Sequence, residues 1–150
     1  MSRPDDGPVS FFTHDHRQCD QLWADFENAV DSGEGAAELW ESFDQAMRRH
    51  MAMEEEVLFP ALEEATGMAG GPTAVMRMEH DQMRSLLNRL SQLARDGDWE
   101  VVADGGDTLM MLIGQHNAKE EGMLYPLAER ALSPSWTIVA GRLSRYGKAD

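Results

Sequence analysis

Cysteine is nearly absent from this chain of 150 residues, since Cys19 is the only one. A single cysteine excludes a disulfide within the chain and favours a reducing, cytoplasmic location. Long apolar runs are missing too, because stretches such as 109–113 are far shorter than the ~20 residues that a membrane-spanning helix needs. The first residues have neither the cationic start nor the apolar run of a signal peptide. We therefore expect a cytoplasmic protein without a membrane partner.

Basic residues are also scarce. The chain has 13 Lys and Arg against 27 Asp and Glu, which gives a formal net charge of −14. This charge repels phosphate backbones and argues against a nucleic-acid partner. With 42% hydrophobic residues, the chain is long enough to bury one core. We predict one domain over residues 11–150, preceded by an extended arm over residues 1–10 that contains Pro4 and Pro8.

Proline and glycine divide the chain into amphipathic segments, and no strand-like alternation is found. Apolar residues spaced three and four apart predict four long helices. These are residues 13–30 with Thr13 as a candidate N-cap, 36–65, 72–95, and a fourth that Asp98 caps and that continues past Leu127. A short helix should follow Ser133-Pro134. The sequence thus predicts an all-α protein, an up-down-up-down four-helix bundle with a short C-terminal helix.

One pattern of histidine and glutamate occurs twice. A His-x-x-x-Glu motif begins at His50 and again at His116, and a lone histidine precedes each copy by about one helix length. Residues four apart lie on the same face of a helix, and here that face is the apolar one. Each copy also has a proline, Pro60 or Pro126, which should bend or loosen its helix. The candidate metal ligands are His16, His50, Glu54, His80, His116 and Glu120.

Buried imidazoles and carboxylates need polar partners, and a metal ion can be the partner of both kinds of side chain. Four imidazoles and two carboxylates are too many for one tetrahedral zinc, and the nitrogen donors argue against calcium or magnesium. If Glu54 and Glu120 bridge two metals, an oxo or hydroxo bridge completes five donors and leaves one position open on each ion. This donor set predicts two iron ions, with manganese or zinc as less favoured occupants.

The repeated pattern resembles the hemerythrin family, also called the HHE cation-binding domain, over roughly residues 10–132. The residues that carry the resemblance are Asp15-His16-Arg17, His50-x-x-x-Glu54-Glu-x-x-Leu58-x-Pro60, Glu79-His80-Asp81 and His116-x-x-x-Glu120-Glu-x-x-Leu124-x-Pro126. The resemblance implies a four-helix bundle with a non-haem di-iron centre that binds or reacts with dioxygen or nitric oxide, in sensing, scavenging or the response to oxidative and nitrosative stress. It also implies a redox partner, which the sequence does not identify.

Oxygen-carrying hemerythrins differ from this chain in their ligands. They have five histidines, including a His-x-x-x-His pair on the third helix, whereas Met76 and Arg84 stand four residues on either side of His80 here. Their fourth helix also supplies an aspartate, whereas this chain offers Glu120, with Glu121 as a spare, and has no aspartate at either position. The set of four histidines and two glutamates is more similar to di-iron proteins associated with the repair of iron centres. Reversible oxygen storage is therefore disfavoured.

Other interpretations remain open at this stage. The same centre could serve an iron donor, a ferroxidase or a peroxidase. A phosphotransfer module needs one exposed histidine and leaves the paired glutamates unexplained, and a metal-free structural bundle is a fourth alternative. Glu55, Glu56 and Glu121 are interpreted as a solvated flank, with an outer role at the site open to one of them. Cys19 is interpreted as a packed thiol.

Overall fold

A computed structural model describes residues 6–147, and this part of the chain is helical without any strand. The α-helices are α1 (Pro8–Ser32), α2 (Ala36–Met53), α3 (Phe59–Thr66), α4 (Pro72–Arg95), α5 (Trp99–Lys119), α6 (Tyr125–Leu132) and α7 (Trp136–Leu143). Two π-helical segments make α2–α3 and α5–α6 continuous, namely π1 (Glu54–Leu58) and π2 (Glu120–Leu124). The predicted all-α class, with four long helices and a short C-terminal helix, is confirmed.

The first helix begins earlier than the sequence predicts. It starts at Pro8 rather than near Thr13, so the predicted extended arm is wrong for residues 8–10. Proline suits the first helical position because the amide hydrogen that it lacks would have no partner there. The backbone N–H of Val9 also donates to the carboxylate of Glu129 on α6, which fixes this end of α1. The rest of the predicted arm, residues 1–5, lies outside the described residues.

Side-chain contacts show the relative direction of neighbouring helices. Phe26 near the end of α1 packs on Trp40 near the start of α2, whereas Phe12 near the start of α1 packs on His50 near the end of α2. These two helices therefore run in opposite directions. Only residues 96–98 connect α4 to α5, so these helices also turn back on each other.

The core consists of two apolar clusters, one toward each end of the bundle. The first cluster includes Trp23 and Phe43, and α5 can approach it closely because a side chain at Gly106 would collide with the Trp23 ring. The second cluster surrounds Phe59 and is covered by α7, whose buried face is Trp136, Val139, Ala140 and Leu143. Between the two clusters lies a layer of buried polar residues.

A π-helical turn lies immediately before each of the two internal prolines. The N–H of Phe59 donates to the carbonyl of Glu54, five residues earlier, and Tyr125 donates to Glu120 in the same way. A regular α-helix would press the ring of Pro60 against the carbonyl four residues before it, and the wider turn accommodates that ring. These π-helical turns are the loosening that the sequence predicts for both helices.

No helix among residues 6–147 combines the length and apolar character that crossing a membrane requires.

Candidate metal centre

The six predicted ligands meet in the buried layer between the two core clusters. They form two groups that could hold a metal ion, and within each group the ligand atoms lie within 4.8 Å of one another. One group adds His16 and His50 to the two glutamates, and the other adds His80 and His116 to the same two glutamates. Each group thus takes both of its histidines from one copy of the sequence repeat. Glu54 and Glu120 belong to both groups, as bridging carboxylates would.

Several atoms that face this centre have no hydrogen-bond partner among the described residues. They are Nε2 of His50, Oε1 of Glu54 and Oε2 of Glu120, and all three are inaccessible to solvent. His50 Nε2 lies 3.4 Å from Glu54 Oε1 without the geometry of a hydrogen bond. An unpaired buried polar atom costs about 1–3 kcal/mol, and more when it is charged. Three such atoms facing one point fit bound cations, and nitrogen and carboxylate oxygen are donors that suit iron or manganese.

Two histidines are held by an acidic residue from the same copy of the repeat. The Nδ1 atom of His50 lies 2.7 Å from Oδ2 of Asp15, and Nδ1 of His116 lies 2.8 Å from Oε1 of Glu79. Because a carboxylate only accepts hydrogen bonds, each ring carries its proton on Nδ1. The Nε2 lone pair of the neutral ring is therefore free to bind a metal.

The other two histidines are held by an acidic residue from the opposite copy. Glu55 accepts a hydrogen bond from Nδ1 of His80 at 2.6 Å, and Glu121 accepts one from Nδ1 of His16 at 2.7 Å. The interpretation of Glu55 and Glu121 as a solvated flank is therefore wrong. Each directly follows a candidate ligand, at the second residue of a π-helical segment.

A basic side chain neutralises each of the four outer carboxylates. The pairs are Arg49 with Asp15, Lys119 with Glu79, Arg84 with Glu55, and Arg17 with Glu121. Arg84, whose role the sequence leaves undecided, lies 2.7 Å from the carboxylate that holds His80. Each histidine thus begins a chain of imidazole, carboxylate and cation that ends near the surface. Such chains fix the ring orientation and strengthen the ring as a donor.

Tyr125 is a further buried group that sequence reasoning missed. Its hydroxyl oxygen lies 2.6 Å from Oε2 of Glu54, 2.9 Å from Oε1 of Glu120 and 3.0 Å from Nε2 of His16, and its one hydrogen can be donated to either carboxylate. The signal was present in the sequence, because Tyr125 stands where the first copy of the repeat has Phe59. Burial and the two carboxylates raise the pKa of Tyr125 well above its usual value, so the metal-free protein keeps the phenol protonated.

In the metal-free protein, nearby opposite charges affect the pKa values of the ligands more strongly than burial does. Burial favours a neutral ring, but the adjacent carboxylates of Glu54 and Glu55 raise the pKa of His80 to about 9. Burial likewise opposes a raised pKa for His50, and the charge of Glu54 overcomes it. Burial favours protonated Glu120, but hydrogen bonds from the imidazole rings hold its pKa well below the usual range. Without metal, protons therefore take the place of cations in this layer.

Two further residues complete the comparison with the sequence. Cys19 is buried, and burial raises the pKa of its thiol to about 12, in agreement with its interpretation as a packed thiol. His14, the fifth histidine, belongs to neither ligand group and is half-buried.

Residues 7–128 match the model of the hemerythrin HHE cation-binding domain, and the chain belongs to this family. Similar curated proteins are iron-sulfur cluster repair proteins YtfE. The one from Salmonella typhimurium is 26% identical over 93 residues, which are 56% of this chain and 42% of that protein. The one from Yersinia pestis is 30% identical over 95 residues, which are 57% of this chain and 43% of that protein. The chain thus matches less than half the length of these relatives. No solved structure matches it significantly.

Proposed function

We propose that this chain is a non-haem di-iron protein that binds or reacts with dioxygen or nitric oxide. The observation that carries the proposal is the overlap of the two ligand groups, which share Glu54 and Glu120 and differ only in their histidines. A single metal would need one group, and the second would then be a costly cluster of buried polar atoms. Membership of a cation-binding family supports the proposal.

The proposed roles follow from the contacts of each residue. Two ions would both be held by Glu54 and Glu120, one of them with His16 and His50 and the other with His80 and His116. The outer carboxylates keep the protons of the four rings on Nδ1, so that Nε2 can bind metal. When bound, the iron pair supplies redox chemistry and sites for a small ligand. The alternating up-down-up-down order of the four long helices belongs to this proposal, because it lets one residue layer receive ligands from every helix.

The mode of reaction follows from the ligand count. Four histidines and two glutamates give fewer nitrogen donors than the five-histidine set of oxygen carriers. We therefore propose that the reduced protein is oxidised by dioxygen and binds nitric oxide, without storing oxygen. Stopped-flow mixing of the reduced protein with each gas tests this. Rapid conversion to the ferric spectrum with dioxygen is expected. A long-lived spectrum that reverts when oxygen is removed would restore oxygen storage.

A second function, iron donation in the repair of iron-sulfur clusters, is favoured by one observation. The similar proteins from Salmonella and Yersinia are repair proteins, although this chain matches less than half of each. An apo iron-sulfur protein incubated with the iron-loaded chain provides the test, with free ferrous iron as the control. Faster cluster recovery than with the same amount of free iron would favour this function. Peroxide consumption with many turnovers per iron would instead favour a peroxidase. A cytoplasmic location stays a prediction.

A further inference from the structure

The two copies of the repeat carry different aromatic residues next to the centre. In the first copy, Phe59 and Pro60 follow the π-helical segment, and in the second copy Tyr125 and Pro126 occupy the corresponding positions. Both aromatic side chains are completely buried, so both rings pack in the interior. These two aromatic side chains differ by one oxygen atom, and that oxygen lies at the centre.

The phenol oxygen of Tyr125 lies on one side of the ligand cluster. It is within 3.0 Å of atoms of Glu54, Glu120 and His16, which are three of the four members of the group that contains His50. Donor atoms about 2.1 Å from one ion and at right angles lie about 3 Å apart. The phenol oxygen therefore has the spacing of one more donor around the position of His16 and His50.

The other side of the cluster has an apolar neighbour instead. The Phe59 ring stacks on the imidazole of His80, with centroids 5.6 Å apart and planes 22° from parallel. Phenylalanine offers no donor atom, so it can neither donate to the shared carboxylates nor take the place of a ligand. The metal position of His80 and His116 therefore has no phenol that corresponds to that of Tyr125.

We propose that Tyr125 makes the two metal positions inequivalent and directs an external ligand to the position of His80 and His116. The phenol holds both shared carboxylates from the side of His16 and fills the space where a further ligand would bind there. The sequence analysis expects one open position on each ion, whereas this proposal has a single open position. This inference rests on the proposed two-iron centre.

Mössbauer spectra of the iron-loaded ferric protein test the inequivalence. The wild type should give two quadrupole doublets of equal area, and Tyr125→Phe should bring them together because both positions then face phenylalanine. Phe59→Tyr is the matched variant: it adds a phenol to the other side and should also reduce the separation. One doublet in the wild type, or an unchanged separation in both variants, would overturn the inference.

Nitric oxide titration of the same proteins in the reduced state tests whether Tyr125 blocks ligand binding at the position of His16 and His50. The wild type should bind one nitric oxide per chain and Tyr125→Phe two, a twofold change. The same number of nitric oxide molecules bound per chain in the two proteins would show that Tyr125 does not block a position. Iron analysis of every sample separates this failure from failure of the proposed function. Two irons per chain with equivalent spectra refute only the role of Tyr125, whereas one iron per chain refutes the centre and the inference with it.

Discussion

The metal-free protein should lose stability as the pH is raised from about 6.5 to about 9. His80 is fully buried, and its pKa rises from 6.5 to about 9 in the folded protein because the adjacent carboxylates of Glu54 and Glu55 outweigh the effect of burial. A group with a raised folded pKa binds its proton more tightly in the folded state than in the unfolded state. Its contribution to stability is complete below pH 6.5 and is lost as the pH approaches 9.

The magnitude follows from the size of the shift. A rise from 6.5 to about 9 is roughly 2.5 pH units, and at about 1.4 kcal/mol per unit it corresponds to about 3 kcal/mol. His50 and His116 also have raised pKa values, so their contributions have the same sign. For a domain whose total stability is about 5–15 kcal/mol, this loss is large enough to measure.

Urea unfolding of the chelator-treated protein at pH 6 and pH 9 is the assay. We expect the free energy of unfolding to be about 3 kcal/mol or more lower at pH 9. In the control variant His80→Gln, which cannot titrate at this position, the pH dependence should shrink by about 3 kcal/mol. The metal-loaded protein should show the opposite trend at the acidic end, where protons compete with metal for imidazole. Metal-free stability that is flat or rising over this range would refute the reasoning.

Three further predictions concern the metal centre. Glu54→Ala should release more iron than Glu56→Ala, since Glu54 belongs to both ligand groups and Glu56 to neither; equal iron contents would mean that the assigned face is wrong. Asp15→Asn removes the negative charge behind His50 and should weaken iron binding about 10–100-fold in a competition titration with a chelator, whereas unchanged affinity would remove Asp15 from the site. Removing iron should lower the Tm by roughly 10 °C in calorimetry, because a ligand at about 1,000 times its Kd adds about 4 kcal/mol, and an unchanged Tm would contradict a site that ties the helices together.

The sequence predicts the ligand layer because of periodicity. His50 and Glu54 are one helical turn apart on an apolar face, so a helix must bring them together whatever the exact packing. The second copy repeats this argument, and burial of charged and polar groups on both copies requires a shared partner. The sequence pattern therefore identifies all six residues that the structure brings together in this layer.

The outer residues could not be predicted in the same way. Glu55 directly follows Glu54, and in a regular α-helix consecutive side chains point about 100° apart, so the sequence indicates a solvated residue. In the structure Glu55 nevertheless contacts Nδ1 of His80 on α4. Which histidine an acidic residue contacts depends on helix packing: Asp15 contacts His50 rather than its neighbour His16.

The start of α1 was mispredicted for a local reason. Pro4, Gly7 and Pro8 together indicate an irregular segment, but Pro8 is also a favoured first residue of a helix. What decides between these alternatives is a distant contact, the hydrogen bond from Val9 to Glu129. Sequence periodicity carries no information about such a contact.

Anaerobic titration of the metal-free protein with ferrous iron tests the central claim most directly. The two ligand groups share Glu54 and Glu120 but have separate pairs of histidines, so the account predicts an end point of two irons per chain. A His80→Ala and His116→Ala double variant, which keeps the first pair of histidines, should give an end point near one. An end point of one in the wild type, unchanged in the double variant, would contradict the account.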